Sequence, residues 1–121
     1  MDWLKNWNEA LDELERNLEG TIDTETLGRL AGCSAYHFQR MFPYLAGVPL
    51  SEYIRRRRMT RAAADLQNGE KVLDVALRYG YESPTSFNRA FQAVHRIPPS
   101  HAKQMGVKLK AFPRVHFKFV L

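Results

Sequence analysis

The sequence predicts an all-α fold of about seven helices, followed by a short β-like C-terminal tail. Apolar side chains recur at helical spacing through most of residues 1–105, and glycine or proline stop signals separate the runs. Strand-like alternation of apolar and polar residues is confined to residues 107–121. A length of 121 residues fits one domain or two small lobes that share one body.

Capping residues predict where the helices begin. Asp23, Ser34 and Ser83 each precede an apolar periodic run and are good N-caps. Pro84 then takes the first helical position, which suits proline because its missing N–H would have no partner there. The predicted helices span residues 3–18, 24–32, 35–45, 49–67, 72–78 and 84–95, with a last short helix beginning at Ser100.

Residues 34–51 and 83–100 form an internal repeat with an offset of 49 residues. The two copies read "SAYHFQRMFPYLAGVPLS" and "SPTSFNRAFQAVHRIPPS". The identical pairs are Ser34/Ser83, Phe38/Phe87, Arg40/Arg89, Phe42/Phe91, Pro49/Pro98 and Ser51/Ser100. Each copy ends a unit of short helix, turn and longer helix. A helix-turn-helix of this kind can place its second helix in the major groove of DNA.

The outward side chains of the two longer helices can form hydrogen bonds. Because Phe38 and Phe42 lie four residues apart on one inward face, the positions beside them point away from the core. The outward residues are Tyr36, Gln39 and Arg40 in the first copy and Thr85, Ser86, Asn88 and Arg89 in the second. Arginine can bond guanine or a phosphate, and side-chain amides suit adenine. The helix N-termini at Ser34 and Ser83 favour a phosphate.

These outward positions predict two lobes of one shape that read two different half-sites. The alternative is that they are surface positions without a ligand.

The charge distribution favours a polyanionic partner, since residues 1–25 hold eight acids and two bases, whereas residues 26–121 hold five acids and sixteen bases. A solvated basic face is the alternative. The formal net charge is +5.

Other classes of protein and site are disfavoured. No apolar run approaches the roughly 18 residues of a membrane span, and no helix pairs a broad apolar face with lysines. No secretory signal is visible, so a cytoplasmic location is expected. The single cysteine, Cys33, excludes an internal disulfide, and the histidines show no metal spacing. No phosphate loop, nucleophile elbow or carboxylate pair is present, so we expect neither catalysis nor a cofactor or metal.

Two segments resemble the DNA-binding domain of the AraC/XylS family of transcription regulators. They are "CSAYHFQRMFPYLAGVPLSEYIRRRRMTRAAADL" and "VLDVALRYGYESPTSFNRAFQAVHRIPPSHAKQ". The resemblance covers nearly all of residues 3–105. It implies two helix-turn-helix subdomains joined by one long helix, with the second helix of each motif inserted into adjacent major-groove segments. The implied DNA-binding domain is 1–106, with a first lobe 1–48, a linker helix 49–68 and a second lobe 69–106.

The resemblance also implies which residues contact DNA. In the first lobe these are Tyr36, Gln39 and Arg40, and in the second Pro84, Thr85, Asn88 and Arg89 occupy the equivalent stretch. Pro84 departs from the polar residue that some relatives have there. Together with the helix-capping Ser34 and Ser83, they form the predicted DNA-binding set.

Four consecutive arginines, "RRRR" at 55–58, interrupt the linker helix. Placed at about 100° per residue, they point in four directions. The resemblance makes Arg55 the phosphate contact. Arg57 falls on an apolar face, so its stem should be buried with its head reaching solvent. Arg56 is expected to be solvated only.

Residues 107–121 are similar to the junction in two-domain members of the family, where a GyrI-like effector-binding domain follows. They are therefore interpreted as the start of a truncated effector domain, the alternative being a short tail that packs on the helices. The implied partners are double-stranded DNA, with RNA polymerase as a second candidate and an effector small molecule only through the missing domain. The alternative function is a basic helical module that binds RNA, a protein or an anionic surface without sequence specificity.

Overall fold

The computed structural model describes residues 2–104 and 109–117, and this part of the chain contains seven helices and no strand. The helices are α1 (Trp3–Arg16), α2 (Thr24–Ala31), α3 (Ala35–Ala46), α4 (Leu50–Gln67), α5 (Val72–Arg78), α6 (Pro84–His95) and α7 (Pro99–Ala102). The all-α prediction is confirmed. Residues 109–117 of the predicted β-like tail are extended but form no strand, and the rest of that tail lies outside the described residues.

The chain folds as two compact units. The first unit contains Met1–Tyr53 and Arg114–Leu121, and the second contains Ile54–Pro113. The division falls within α4, so the first turn of that helix belongs to the first unit and the remainder to the second. The first helix-turn-helix, α2 and α3, therefore lies in one unit, and the second, α5 and α6, lies in the other.

An aromatic stack fills the core of the first unit. The ring of Trp7 from α1 stacks on Phe38 of α3, with 4.6 Å between ring centroids. Phe42 lies one turn further along α3 and contacts the ring of Tyr53, at 5.4 Å. Phe38 and Phe42 are completely buried, as are Leu14 and Leu18. The inward face of α3 is therefore fixed by two aromatic side chains.

The turn between α2 and α3 leaves no room for a side chain at Gly28. A Cβ built there would lie 2.7 Å from the carbonyl carbon of Ser34 and 2.8 Å from the nitrogen of Ala35. Gly32 caps the C-terminus of α2 and adopts the left-handed conformation with φ of 86°. The backbone that begins α3 thus packs directly on α2, and the distance between the two helices depends on Gly28.

The second unit has a similar core. Phe87 and Phe91, four residues apart on α6, are completely buried and lie 5.8 Å from one another. They occupy the positions that Phe38 and Phe42 hold in the first unit. Side chains from every helix of the unit surround them: Met59, Ala62, Ala63, Leu66, Val75, Ala76, Tyr79, Val94 and Ala102.

A charged cluster joins the end of α4 to the end of α5. Arg78 donates to Asp65 at 2.9 Å and also bonds the Glu70 carboxylate. The hydroxyl of Tyr79 donates to the same oxygen of Asp65 at 2.7 Å. The hydrogen bond from Arg78 lowers the pKa of Glu70. These contacts fix the end of α5, the first helix of the second helix-turn-helix, against the end of α4.

His95 ends α6 and is buried. Its Nε2–H donates to the carbonyl oxygen of Met59 in α4 at 2.8 Å, and its ring lies 4.4 Å from that of Phe91. Nδ1 is buried and has no hydrogen-bond partner among the described residues. Burial lowers the pKa of His95, and the charge of Lys110 adds to this effect. The side chain therefore joins α6 to α4 in its neutral form.

Phe112 attaches the extended residues 109–113 to α4 within the second unit. Its N–H donates to Thr60 Oγ1 at 3.0 Å, and its carbonyl accepts from Arg57. The guanidinium of Arg56 lies over the Phe112 ring, 4.8 Å from the centroid. The expectation that Arg56 is only solvated is therefore wrong, because an aromatic side chain 56 residues further along the chain covers it.

Residues 114–117 pack within the first unit. Arg114 donates to Asp12 of α1 at 2.7 Å, and the N–H of Val115 donates to the Tyr53 hydroxyl at 3.0 Å. The side-chain amide of Asn8 bonds both the N–H and the carbonyl of Phe117, at 2.8 and 2.9 Å. The described part of the tail is therefore held by helix side chains in place of a neighbouring strand.

We expect Gly28→Ala to destabilise the first unit by about 1–3 kcal/mol, because its Cβ would overlap backbone atoms at the start of α3. Urea unfolding followed by tryptophan fluorescence measures the change. Gly20→Ala is the control, since a Cβ at Gly20 meets nothing within 4 Å. Equal unfolding midpoints for the two variants would contradict the close approach.

The stability of the protein should decrease as the pH drops, because folding lowers the pKa of His95. The unfolded chain, with a histidine pKa near 6.5, binds the proton first as the pH drops. The free energy of unfolding should therefore decrease below about pH 6.5, by at most about 1.4 kcal/mol per pH unit from this residue. Thermal unfolding of wild type and His95→Phe at pH 8 and pH 5.5 tests this.

The phenylalanine variant should lose less stability between the two pH values than the wild type. His101→Phe serves as the matched control because His101 is exposed in the same unit. If His95→Phe and His101→Phe show the same pH dependence as the wild type, the buried histidine does not account for the acid sensitivity.

Candidate nucleic-acid interface

Helix α3 carries, on one exposed face, the residues predicted to contact DNA in the first lobe. Ser34 caps the helix, and its Oγ accepts from the N–H of His37 at 3.0 Å. Because Phe38 and Phe42 occupy the buried face, Tyr36, Gln39 and Arg40 are directed outward. Tyr36 is 70% exposed.

Arg40 is held by Tyr36. Its Nη1 donates to the Tyr36 hydroxyl at 2.9 Å, across one helical turn. The contact keeps the guanidinium along the outer face of α3. Nε and Nη2 do not take part in this bond, so they remain able to donate side by side to a second acceptor pair.

Helix α6 begins in the same way. Ser83 caps it, with its Oγ accepting from the N–H of Ser86 at 3.1 Å, and Pro84 takes the first helical position. The hydroxyl of Ser86 donates in turn to the Ser83 carbonyl at 3.0 Å. Phe87 and Phe91 occupy the buried face. The starts predicted for both helices are therefore confirmed.

The outward face of α6 carries Thr85 and Arg89, which are exposed, and Asn88, which is half-buried. The amide nitrogen of Gln92 donates to Asn88 Oδ1. Gln92 was not among the sequence candidates, although its spacing of four residues from Asn88 is the signal that could have identified it. Two exposed residues of α3 were also left out, namely His37 and Tyr44, the latter 82% exposed.

The structure brings the predicted residues together in two sets, one in each unit. The first set is Ser34, Tyr36, Gln39 and Arg40, and the second is Ser83, Pro84, Thr85, Asn88 and Arg89. Each set follows one capped helix whose opposite face is buried. Each unit therefore presents the start of a helix and its first two turns as a polar surface.

Arg55 lies in the same unit as the second set. It is half-buried on α4, and its charge, with that of Arg58, acts on the hydroxyl of Tyr81 in the turn that leads to Ser83. Burial raises the pKa of Tyr81, and the two arginines oppose that rise. Burial lowers the pKa of Arg58 itself. Positive charge thus lies near the chain segment that enters α6.

None of the described helices has both the length and the apolar character needed to cross a membrane. Within residues 2–104 and 109–117, no cluster of three histidine, cysteine or acidic side chains could hold a metal ion.

Comparison with known proteins agrees with this geometry. A family model described as "Helix-turn-helix domain" matches residues 27–105, which include all seven of the residues predicted to contact DNA through the two reading helices. The HTH-type transcriptional activator AarP of Providencia stuartii is 39% identical over 94 residues, which are 77% of this chain and 70% of AarP.

Solved structures share the fold. An AraC-type transcriptional regulator from Chromobacterium violaceum matches with a TM-score of 0.73 and 24% identity, covering 82% of this chain and 89% of that one. The DNA-binding domain of AdpA, solved in complex with a target DNA, matches with a TM-score of 0.71 and 26% identity, covering 85% of this chain and 91% of that one. The chain therefore belongs to the family of AraC-type helix-turn-helix DNA-binding domains.

Proposed function

We propose that this protein is a transcription regulator that binds double-stranded DNA with sequence specificity, using α3 and α6 as its reading helices. The observation that carries the proposal is the duplicated helix, which keeps the serine cap and the buried phenylalanine pair but changes its outer polar face. AarP is described as a transcriptional activator, and AdpA was solved with its target DNA. Both descriptions support the proposal.

In the first unit, α3 offers a phosphate contact at its N-terminus and base contacts along its outer face. Backbone N–H groups after Ser34 favour a phosphate oxygen. Arg40 can donate to O6 and N7 of guanine, and the Gln39 amide can pair with N6 and N7 of adenine. The Tyr36 ring can contact a thymine methyl group. One helix thereby reads several consecutive base pairs.

In the second unit, α6 offers the same kinds of contact with different side chains. Ser83 supplies the helix N-terminus, and Thr85 can bond a base or a phosphate. Asn88 suits adenine, and Arg89 suits guanine or a phosphate. Pro84 has no hydrogen-bonding side chain, so its contribution is apolar contact. The two helices should therefore prefer different sequences.

Arg55 is proposed to bind a phosphate rather than a base. It lies on α4, not on a reading helix, and it is close to the turn that precedes α6. A cation at this position adds affinity that does not depend on base sequence. Because the side chain is half-buried, its position is restricted before DNA arrives.

The proposed organisation keeps a first lobe at 1–48, a linker helix at 49–68 and a second lobe at 69–106. A regulator that binds DNA would act in the cytoplasm on RNA polymerase or on access to a promoter. A GyrI-like effector domain following residue 106 would bind a small molecule and so add control of DNA binding.

The second candidate function is binding to nucleic acid without sequence specificity, which the net charge of +5 favours. A competition experiment separates the two. Random duplex DNA should displace a selected DNA site poorly, and RNA of the same length should not displace it better than random DNA. Equal displacement by every nucleic acid would favour the second candidate.

Arg40→Ala and Arg89→Ala should each relax base preference in one half-site only, because each arginine belongs to a different reading helix. The expected loss is about 1–3 kcal/mol on the preferred site. Selection of bound sequences from a random DNA pool, followed by titration, measures both effects. Unchanged selected sequences in both variants would refute the model of two reading helices.

Arg55→Ala should weaken binding to all DNA sequences by a similar factor and should reduce the slope of log K against log salt by about 1. Titrations of a selected site and of a random duplex between about 50 and 200 mM salt test this, because affinity that depends on phosphate contacts falls steeply over that range. Arg16→Ala is the control because Arg16 is exposed on the acidic α1 and pairs with Glu13. A loss confined to the selected site would contradict the phosphate role.

A further inference from the structure

In each reading helix, one base-reading side chain is held by a hydrogen bond to a residue one helical turn away. The base-reading side chain next to it is not held in this way. Building on the proposed function, we propose that Tyr36 and Gln92 are positioning residues that determine specificity. Tyr36 fixes Arg40 in the first unit, and Gln92 fixes Asn88 in the second. The first lobe then discriminates chiefly through an arginine and the second chiefly through an amide.

The arrangement in α3 follows from residue spacing. Arg40 lies four residues after Tyr36, whose hydroxyl accepts from Nη1 at 2.9 Å. Gln39 lies four residues before Pro43, which has neither a polar side chain nor an N–H to offer. No hydrogen bond to the Gln39 side chain is found within the described part of the chain. The helix therefore holds its arginine through a hydrogen bond and does not hold its amide.

The arrangement in α6 is the reverse. Asn88, which corresponds to Gln39, lies four residues before Gln92 and accepts a hydrogen bond from it. Arg89, which corresponds to Arg40, has Thr85 where the first helix has Tyr36. Thr85 does not bond the Arg89 guanidinium, and no described residue pairs with the Arg89 side chain. This helix holds its amide through a hydrogen bond and does not hold its arginine.

Both holding contacts leave the base-reading atoms available. Arginine bound through Nη1 retains Nε and Nη2, which can donate to O6 and N7 of guanine. The carbonyl oxygen of Asn88 has a second lone pair for the N6–H of adenine, and its Nδ2 can donate to N7. The contacts therefore organise the reading groups without occupying them.

Holding a side chain in advance increases its power to discriminate. A long side chain that is already ordered loses less rotamer entropy on binding, and it cannot swing to a neighbouring phosphate when the wrong base is present. An unheld arginine such as Arg89 can make that switch. The first half-site should therefore show a strong guanine preference and the second a strong adenine preference.

Tyr36→Phe tests the contact in α3, since it removes one hydroxyl and keeps the ring. The guanine preference at the Arg40 position should fall about three- to tenfold, the usual effect of one hydrogen bond, with the second half-site unchanged. Tyr44→Phe is the matched control, because Tyr44 is 82% exposed on the same helix. Random-pool selection followed by titration of single-base variants gives the preference at each position.

Gln92→Met tests the contact in α6, since methionine has a similar length and no amide. The adenine preference at the Asn88 position should fall by a similar factor, with the first half-site unchanged. Gln104→Met is the matched control in the same unit, at an exposed position outside the reading helix. The salt slope should not change in either test variant, because neither removes a charge.

Double variants separate positioning from direct contact with DNA. If Tyr36 acts through Arg40, Tyr36→Phe should cause no further loss in an Arg40→Ala background, and the same should hold for Gln92→Met in Asn88→Ala. A full additional loss in those backgrounds would overturn the proposal, as would single variants whose base preferences match the wild type. Those results would leave the proposed function intact, whereas a wild-type protein that selects no sequence would overturn both.

Discussion

A pair of buried phenylalanines sets the rotation of each reading helix. Phe38 and Phe42 in α3, and Phe87 and Phe91 in α6, are completely buried and four residues apart. A helix anchored at two points on one side cannot turn about its axis without exposing a ring, which costs several kcal/mol. This constraint therefore fixes the direction of every outward side chain of the two helices.

Residues with local partners were predictable from the sequence. Serine caps, the proline at the first helical position and the phenylalanine spacing all act within one or two turns, so they identified α3 and α6 and their outer faces. The roles of Arg56 and His95 were not predictable, because their partners Phe112 and Met59 lie 56 and 36 residues away. No pattern of local spacing records such contacts.

The arginine run shows why net charge describes a surface poorly. Arg55 and Arg58 act on Tyr81, while Arg56 and Arg57 contact the ring and the carbonyl of Phe112. All four are half-buried. Guanidinium groups serve such positions well, because their long stems pack against apolar groups while their planar heads bond several partners. Most side chains of a basic run can therefore contact other residues of the same protein instead of forming a charged surface.

The backbone and the ring of Phe112 contribute separately to the attachment of residues 109–113. The N–H and the carbonyl bond Thr60 and Arg57 of α4, and any residue except proline could keep the bond to Thr60. The ring packs against the hydrophobic core of the second unit and lies under the guanidinium of Arg56. A small side chain at position 112 would therefore keep the backbone bonds but would uncover both Arg56 and one side of that core.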